Sequence, residues 1–208
     1  MNTLSRLAFT TLLCSATGNA LAASSTDLTV KGLITPSACT PALSNAGAVD
    51  FGKLSAKDLN PDEVTWLPEQ FLTLAVTCEG PTLMALEPKD NRDGTALDNS
   101  DLEKFGLGLN NGVEKIGDME LYPMSPLADG VPVRSIQSGD RGATWLIWSR
   151  FNRGYLYSVS ADTNPVPLAL KDYSADLRLR TRIAPASQLT LSNEVNLDGS
   201  VTLQLIYL

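Results

Sequence analysis

The chain has 208 residues, 43% of them hydrophobic, with 16 basic and 23 acidic residues, no histidine and a net charge of −7. That length supports one domain with a sizeable apolar core, and the acidic balance argues against nucleic acid and anionic lipid as partners. Without imidazole there is no Ser–His or Cys–His nucleophilic system and few routes to a transition-metal site, so neither a metal nor another cofactor is expected.

Residues 1–22 read as a secretory leader. Arg6 is its only charge, Leu7 to Ala16 is an apolar stretch too short to span a bilayer, and Ala20-Leu21-Ala22 fits a small-residue cleavage site. No later apolar run is long enough for a membrane helix, so integral insertion is not expected. Residues 23–208 then form a single domain. Cys14 leaves with the leader as a small apolar residue. Cys39 and Cys78 remain, and two cysteines in an exported chain are expected to pair. The loop they close spans 39 positions. Chain-entropy reasoning gives such a crosslink about 4 kcal/mol.

Period-two alternation dominates the remainder. Leu28, Val30, Leu33 and Ile34 form a first strand around Gly32, and Ala48 to Leu54 a short second one. Phe71 to Cys78 is a third, rich in β-branched residues. Ser55 to Asn60 has room for one helical turn. Leu83 to Leu86, Phe105 to Leu109 and Met119 to Tyr122 are further strands, with turns at Asp90 to Gly94 and at Asn111-Gly112. Thr144 to Trp148 and Tyr155 to Val159 flank a turn at Asn152-Arg153-Gly154. The strongest alternation follows. Ala175, Leu177, Leu179, Thr181 and Ile183 share one face, and Asp176, Arg178, Arg180 and Arg182 the other. The chain ends on another alternating strand, with Val201, Leu203, Leu205 and Tyr207 on one face and nothing after Leu208. Many short strands with regular turns argue an all-β sandwich.

Catalytic patterns are missing. The groups Glu114, Asp118, Glu120 and Asp98, Asp101, Glu103 read as solvated loop charges. The run around Asp90 fails as an EF-hand, since Lys89 and Ser100 hold its first and twelfth places. The residues Trp145, Trp148, Tyr155 and Tyr157 could line a glycan or protein site, but core packing is the favoured reading. Trp145 and Trp148 are three apart, so one of them should be exposed. The arginine ladder reads as a solvated outer face.

Taken together, these segments resemble the subunits of pili assembled by the chaperone–usher pathway. Leu28 to Cys39, with Gly32 seven residues before the cysteine, is similar to the pilin opening strand. Val49-Asp50-Phe51-Gly52-Lys53-Leu54 is similar to the next strand, and Leu74 to Cys78 to the strand bearing the second cysteine. The penultimate Tyr207 is similar to the C-terminal motif that pairs with the chaperone. The likeness is greatest to the fimbrial-like, beta-fimbrial branch.

The resemblance implies an immunoglobulin-like pilin β-sandwich lacking its final strand, stapled by Cys39–Cys78. Its open edge would be Val201, Leu203, Leu205 and Tyr207. A periplasmic chaperone would fill that edge first, and neighbouring pilus subunits would replace the chaperone at the outer-membrane usher. The location implied is the periplasm in transit, then a cell-surface fimbrium or the secreted state. Two departures stand out. Only Ala23 to Asp27 precede the opening strand, too short and polar to serve as a donor extension, which points to a fibre end. The fourteenth place from the end holds Val195, where pilins carry glycine; Gly199 lies nearby. A non-polymerising binding module and a tip adhesin for surface glycans are the alternatives.

Overall fold

The computed structural model describes residue 29 and residues 38–208. The expected leader and, Thr29 apart, the expected strand at Leu28 to Ile34 lie outside the described residues. Fourteen strands follow in chain order: β1 (Cys39–Leu43), β2 (Thr65–Trp66), β3 (Gln70–Thr82), β4 (Met84–Asp90), β5 (Phe105–Gly106), β6 (Leu109–Asn110), β7 (Glu114–Lys115), β8 (Gly117–Ala128), β9 (Val131–Pro132), β10 (Arg134–Ser138), β11 (Leu146–Ile147), β12 (Leu156–Ser160), β13 (Leu170–Ile183) and β14 (Val201–Tyr207). Three 3-10 turns complete the list, one of them at Ala56–Asp58, inside the segment expected to hold a helical turn. No helix among the described residues is long and apolar enough to cross a membrane.

The fold is an all-β sandwich. One sheet runs β1-β3-β13-β8-β5, with β2 beside β13 and β9 beside β8. The other runs β11-β10-β12-β4-β14. All pairings are antiparallel. β6 and β7 form a separate hairpin whose turn holds Asn111 and Gly112 at positive φ, as an Asn-Gly pair permits. Between the sheets lies an apolar core to which β3 gives Leu74 and Val76, β13 gives Leu177 and Leu179, β4 gives Met84 and Leu86, and β12 gives Tyr157 and Val159. Phe151 meets Tyr157 edge-on, with ring centroids 4.7 Å apart.

β13 sits at the centre because its alternation is nearly perfect. Ala175, Leu177, Leu179, Thr181 and Ile183 are buried in the core face. Its outer face differs from the solvated ladder expected. Arg182 reaches the wholly buried Asp118 through two hydrogen bonds of 2.6 and 3.0 Å. Arg180 lies 4.4 Å over the Trp66 ring, and Arg178 4.5 Å over Tyr122. Glu120, also buried, pairs with Lys104 and accepts from the Tyr122 hydroxyl. Asp118 and Glu120 are therefore not loop charges. They stand on β8 directly across from Arg182 and Arg180 in register, where a charge can be buried because its partner comes with it. Burial itself lowers the pKa of Lys104 from its ordinary value.

The expected strand at Ala48 to Leu54 does not form. That segment is extended but unpaired, and it bends at Gly52, which has φ +63° and an amide donated to the Asp50 carboxylate. β11 and β12 do not pair with each other across the Asn152-Arg153-Gly154 turn; they flank β10 on opposite sides.

Asp118→Ala should destabilise the domain by about 3 kcal/mol, because it strands Arg182 without its partner. The double change Asp118→Leu with Arg182→Met should recover most of that loss. Urea unfolding midpoints read both.

Candidate functional site

The site begins as a backbone deficit. β14 pairs with β4 along its whole length, from Val201 opposite Asp90 to Tyr207 opposite Met84. Its other edge has no partner among the described residues. β1 likewise pairs only with β3, from Cys39 opposite Cys78 to Leu43 opposite Leu74. Cys39 and Cys78 are joined by the expected disulfide. The two free edges come together at one end, where the Cys39 amide donates to the Tyr207 hydroxyl at 3.0 Å. Tyr207 thus ties the last strand to the first described one, beside the disulfide.

Away from that contact the edges part and leave an apolar groove. Val201, Leu203 and Leu205 point inward but are only half-buried. Leu43, Val49 and Phe51 face them from the other wall in the same half-buried state. The floor is Leu72, Leu121, Leu177 and Leu179 around a cavity of about 240 Å³. Gly199 lies against this floor, and a Cβ there would sit 2.7 Å from Leu107 Cδ2. Val49, Phe51 and Leu197 also line a second, larger cavity of about 860 Å³, between residues 49–59 and 189–197. Core residues on the closed strands, such as Leu74 and Val76, are almost fully inaccessible by contrast.

Polar contacts hold the walls in place. Arg92 grips Asp198 with two 2.8 Å hydrogen bonds, and these lower the Asp198 carboxyl below its ordinary pKa. Asn91 donates to the hydroxyls of Ser200 and Thr202. Farther along, Glu114 accepts from the Thr190 amide at 2.8 Å and from its hydroxyl at 2.6 Å, and Asn110 donates to the Thr190 carbonyl. The Thr190 bonds push the Glu114 carboxyl down. Glu114 therefore serves to pin one wall of the groove.

Of the residues singled out in the sequence, Val201, Leu203, Leu205 and Tyr207 lie on β14, an edge strand with no second partner among the described residues, and Cys39 and Cys78 crosslink the opposite sheet beside it. The aromatic group does not assemble. Tyr157 is buried, Tyr155 and Trp145 are half-buried, and Trp148 is exposed on the far side of the same sheet. The sequence reading overlooked Leu189, Leu191, Val195 and Leu197, which extend the groove wall beyond β14. Their signal was present, since all four share the odd-numbered parity of Val201 to Tyr207.

A family model described as "Protein of unknown function (DUF1120)" matches residues 28–119. The chain is similar to Protein GltF of Escherichia coli strain K12, at 29% identity over 233 aligned positions covering 91% of this chain and 92% of that one. It is also similar to Uncharacterized protein YhcF of the same strain, at 24% identity over 226 positions covering 91% and 93%. No solved structure matches the chain.

Glu114 has its proton affinity lowered by folding. Its contribution to the wall is therefore complete above the ordinary glutamate pKa and is lost as pH falls through the lower folded value. The Thr190 amide resonance should stay constant at neutral pH and move only under acid conditions. Glu114→Gln should remove that titration.

Proposed function

We propose that this chain is a non-enzymatic, exported fimbrial-subunit-like protein whose groove is completed by a strand from another chain. A periplasmic chaperone would occupy the groove in transit. At the outer-membrane usher, a neighbouring subunit would take the chaperone's place, and the assembled form would lie at the cell surface. The observation that supports this is the pair of edges, β1 and β14, that lack a second partner among the described residues and face one another across half-buried apolar side chains. Such an edge is an aggregation hazard in isolation. An added strand satisfies its backbone groups, while pockets between the sheets accept alternate side chains. Each large side chain moved from water into the groove contributes about 1.5–3 kcal/mol.

The resemblance of the segments around Cys39, Phe51, Cys78 and Tyr207 to pilins selects this reading over a self-contained binding module. The polar stretch Ala23 to Asp27 favours a terminal position in a fibre. At about 3.3 Å per residue it spans only ~17 Å and offers no alternating apolar anchors.

Expressed alone, residues 23–208 should aggregate or remain loosely folded. Co-expression with the cognate chaperone, or addition of an alternating apolar strand peptide, should give a soluble complex with a raised melting temperature. Leu203→Asp combined with Leu205→Asp should abolish that complex, since each carboxylate would be buried without a partner. A cooperatively folded monomer that gains nothing from any added strand would overturn the reading. Chaperone-held protein mixed with itself should form no homopolymer if the chain only accepts strands. Long fibres formed unaided would exclude the terminal position.

A further inference from the structure

The groove does not end with β14. Its two cavities follow one another along the chain: the smaller is lined from Leu203 back to Leu197, and the larger from Leu197 back to Leu189. Both walls of the larger cavity carry free main chain. Residues 49–51 on one side and 191–197 on the other make no backbone–backbone hydrogen bond among the described residues. Their apolar side chains nevertheless keep turning inward, with Val49, Phe51, Val195 and Leu197 half-buried against the core.

The cavities differ in size. The smaller, about 240 Å³, lies over Leu177 and Leu179, and the larger, about 860 Å³, over Ile116 and Ile183. Both isoleucines are buried, so the floor is solid. At its other end the groove is closed where the Cys39 amide donates to the Tyr207 hydroxyl. The groove therefore widens away from Tyr207. A small ligand would fit the larger volume, but it would leave the amides and carbonyls of both walls unpaired. A polypeptide strand pairs with them. Area points the same way. β14 alone offers an incoming strand three inward neighbours, Val201, Leu203 and Leu205. A specific interface buries about 1,000 Å² or more, and two aromatic side chains in the larger cavity would supply roughly 300–500 Å² of it.

We infer that the larger cavity is the end of the groove that selects its partner: it takes two successive inward-facing bulky side chains, at least one of them aromatic, from a strand longer than β14. This rests on the acceptance of a strand proposed above and adds which strand is accepted. Inward-facing residues of a strand stand about 7 Å apart. The walls frame two such positions, between Val49 and Phe51 on one side and Val195 and Leu197 on the other. Alanine in those positions would leave most of the cavity empty and its lining without contacts. The incoming strand is thus read for size in order, with aliphatic side chains over Leu177 and Leu179 and bulky ones over Ile116 and Ile183.

The full exported chain is refolded with synthetic alternating strands of about fifteen residues, ~50 Å at the strand rise. The strands share their aliphatic residues and differ only in the last two inward positions, which hold Phe and Trp in one and Ala in the other. Each is made with that pair at its N-terminal and at its C-terminal end, so that both strand directions are covered. Competition against a labelled strand gives the dissociation constants. The bulky strand should bind about tenfold or more tightly than the alanine strand, and only with the pair at one of its ends. A strand of seven residues, which matches β14 alone, should gain nothing from Phe and Trp. Val195→Trp, which fills the cavity from its wall, should abolish the preference while the alanine strand still binds, which shows that the variant folds. Equal binding of bulky and alanine strands, or an equal gain from either end, would overturn the inference and leave strand acceptance standing. So would an unchanged preference in the Val195→Trp protein. If no strand binds at all, strand acceptance itself fails, and the inference falls with it.

Discussion

Backbone pairing at one corner governs this structure. A strand interior to a sheet satisfies its amides and carbonyls on both sides; β1 and β14 do so on one side only among the described residues. The cost of a buried, unpaired backbone group is comparable to a lost hydrogen bond. Among the described residues nothing closes this corner over the core; its apolar residues stop at half-burial, and residues 48–54 follow β1 without pairing. Many of the large apolar residues on both walls share one parity. Leu43, Val49 and Phe51 on one side, and Leu189, Leu191, Val195, Leu197, Val201, Leu203 and Leu205 on the other, are all odd-numbered and all turn inward.

The separation of the walls is fixed from outside the groove. Cys39 and Cys78 hold β1 in register on β3, and Tyr207 then ties the end of β14 to Cys39. At the opposite end the bonds of Arg92 to Asp198 and Glu114 to Thr190 hold the other wall. These contacts are polar and mostly exposed. They position the walls without filling the space between them. The rest of the scaffold is anchored on β13, whose charged face is neutralised within the domain by Asp118, Glu120 and Glu69.

Alternation made most strands legible. β3, β13 and β14 lie where period two placed them, because each buries one face and exposes the other. The turn at Asn111-Gly112 was legible for the same local reason, a backbone conformation few other residues adopt. What could not be read was long-range. Val49 and Phe51 alternate as well as any strand, yet they pair with no strand among the described residues. Asp118 and Glu120 looked like loop charges because their burial depends on Arg182 and Arg180, more than fifty residues later, arriving in register from β13. The ladder that seemed solvated was the other half of that arrangement. Trp145 and Trp148 differ in exposure as their odd spacing implies, with Trp148 the exposed one.

The two ends of the second sheet meet the edge problem in different ways, and the difference has a physical origin. β11 limits its exposed backbone by being two residues long, and it is flanked by arginines that discourage pairing with another sheet. Its exposed apolar side chains stand outward from a nearly satisfied main chain. β14 has the opposite character: seven residues of edge with no second partner among the described residues, and alternate side chains turned inward over a cavity. Main-chain pairing demands a strand of matching length and direction, so under the proposed function β14 would discriminate among partners through register and pocket size. A short edge with outward side chains offers no such register and can recognise only polarity. The two edges of this sheet thus differ in length and in the direction of their side chains, with three strands between them.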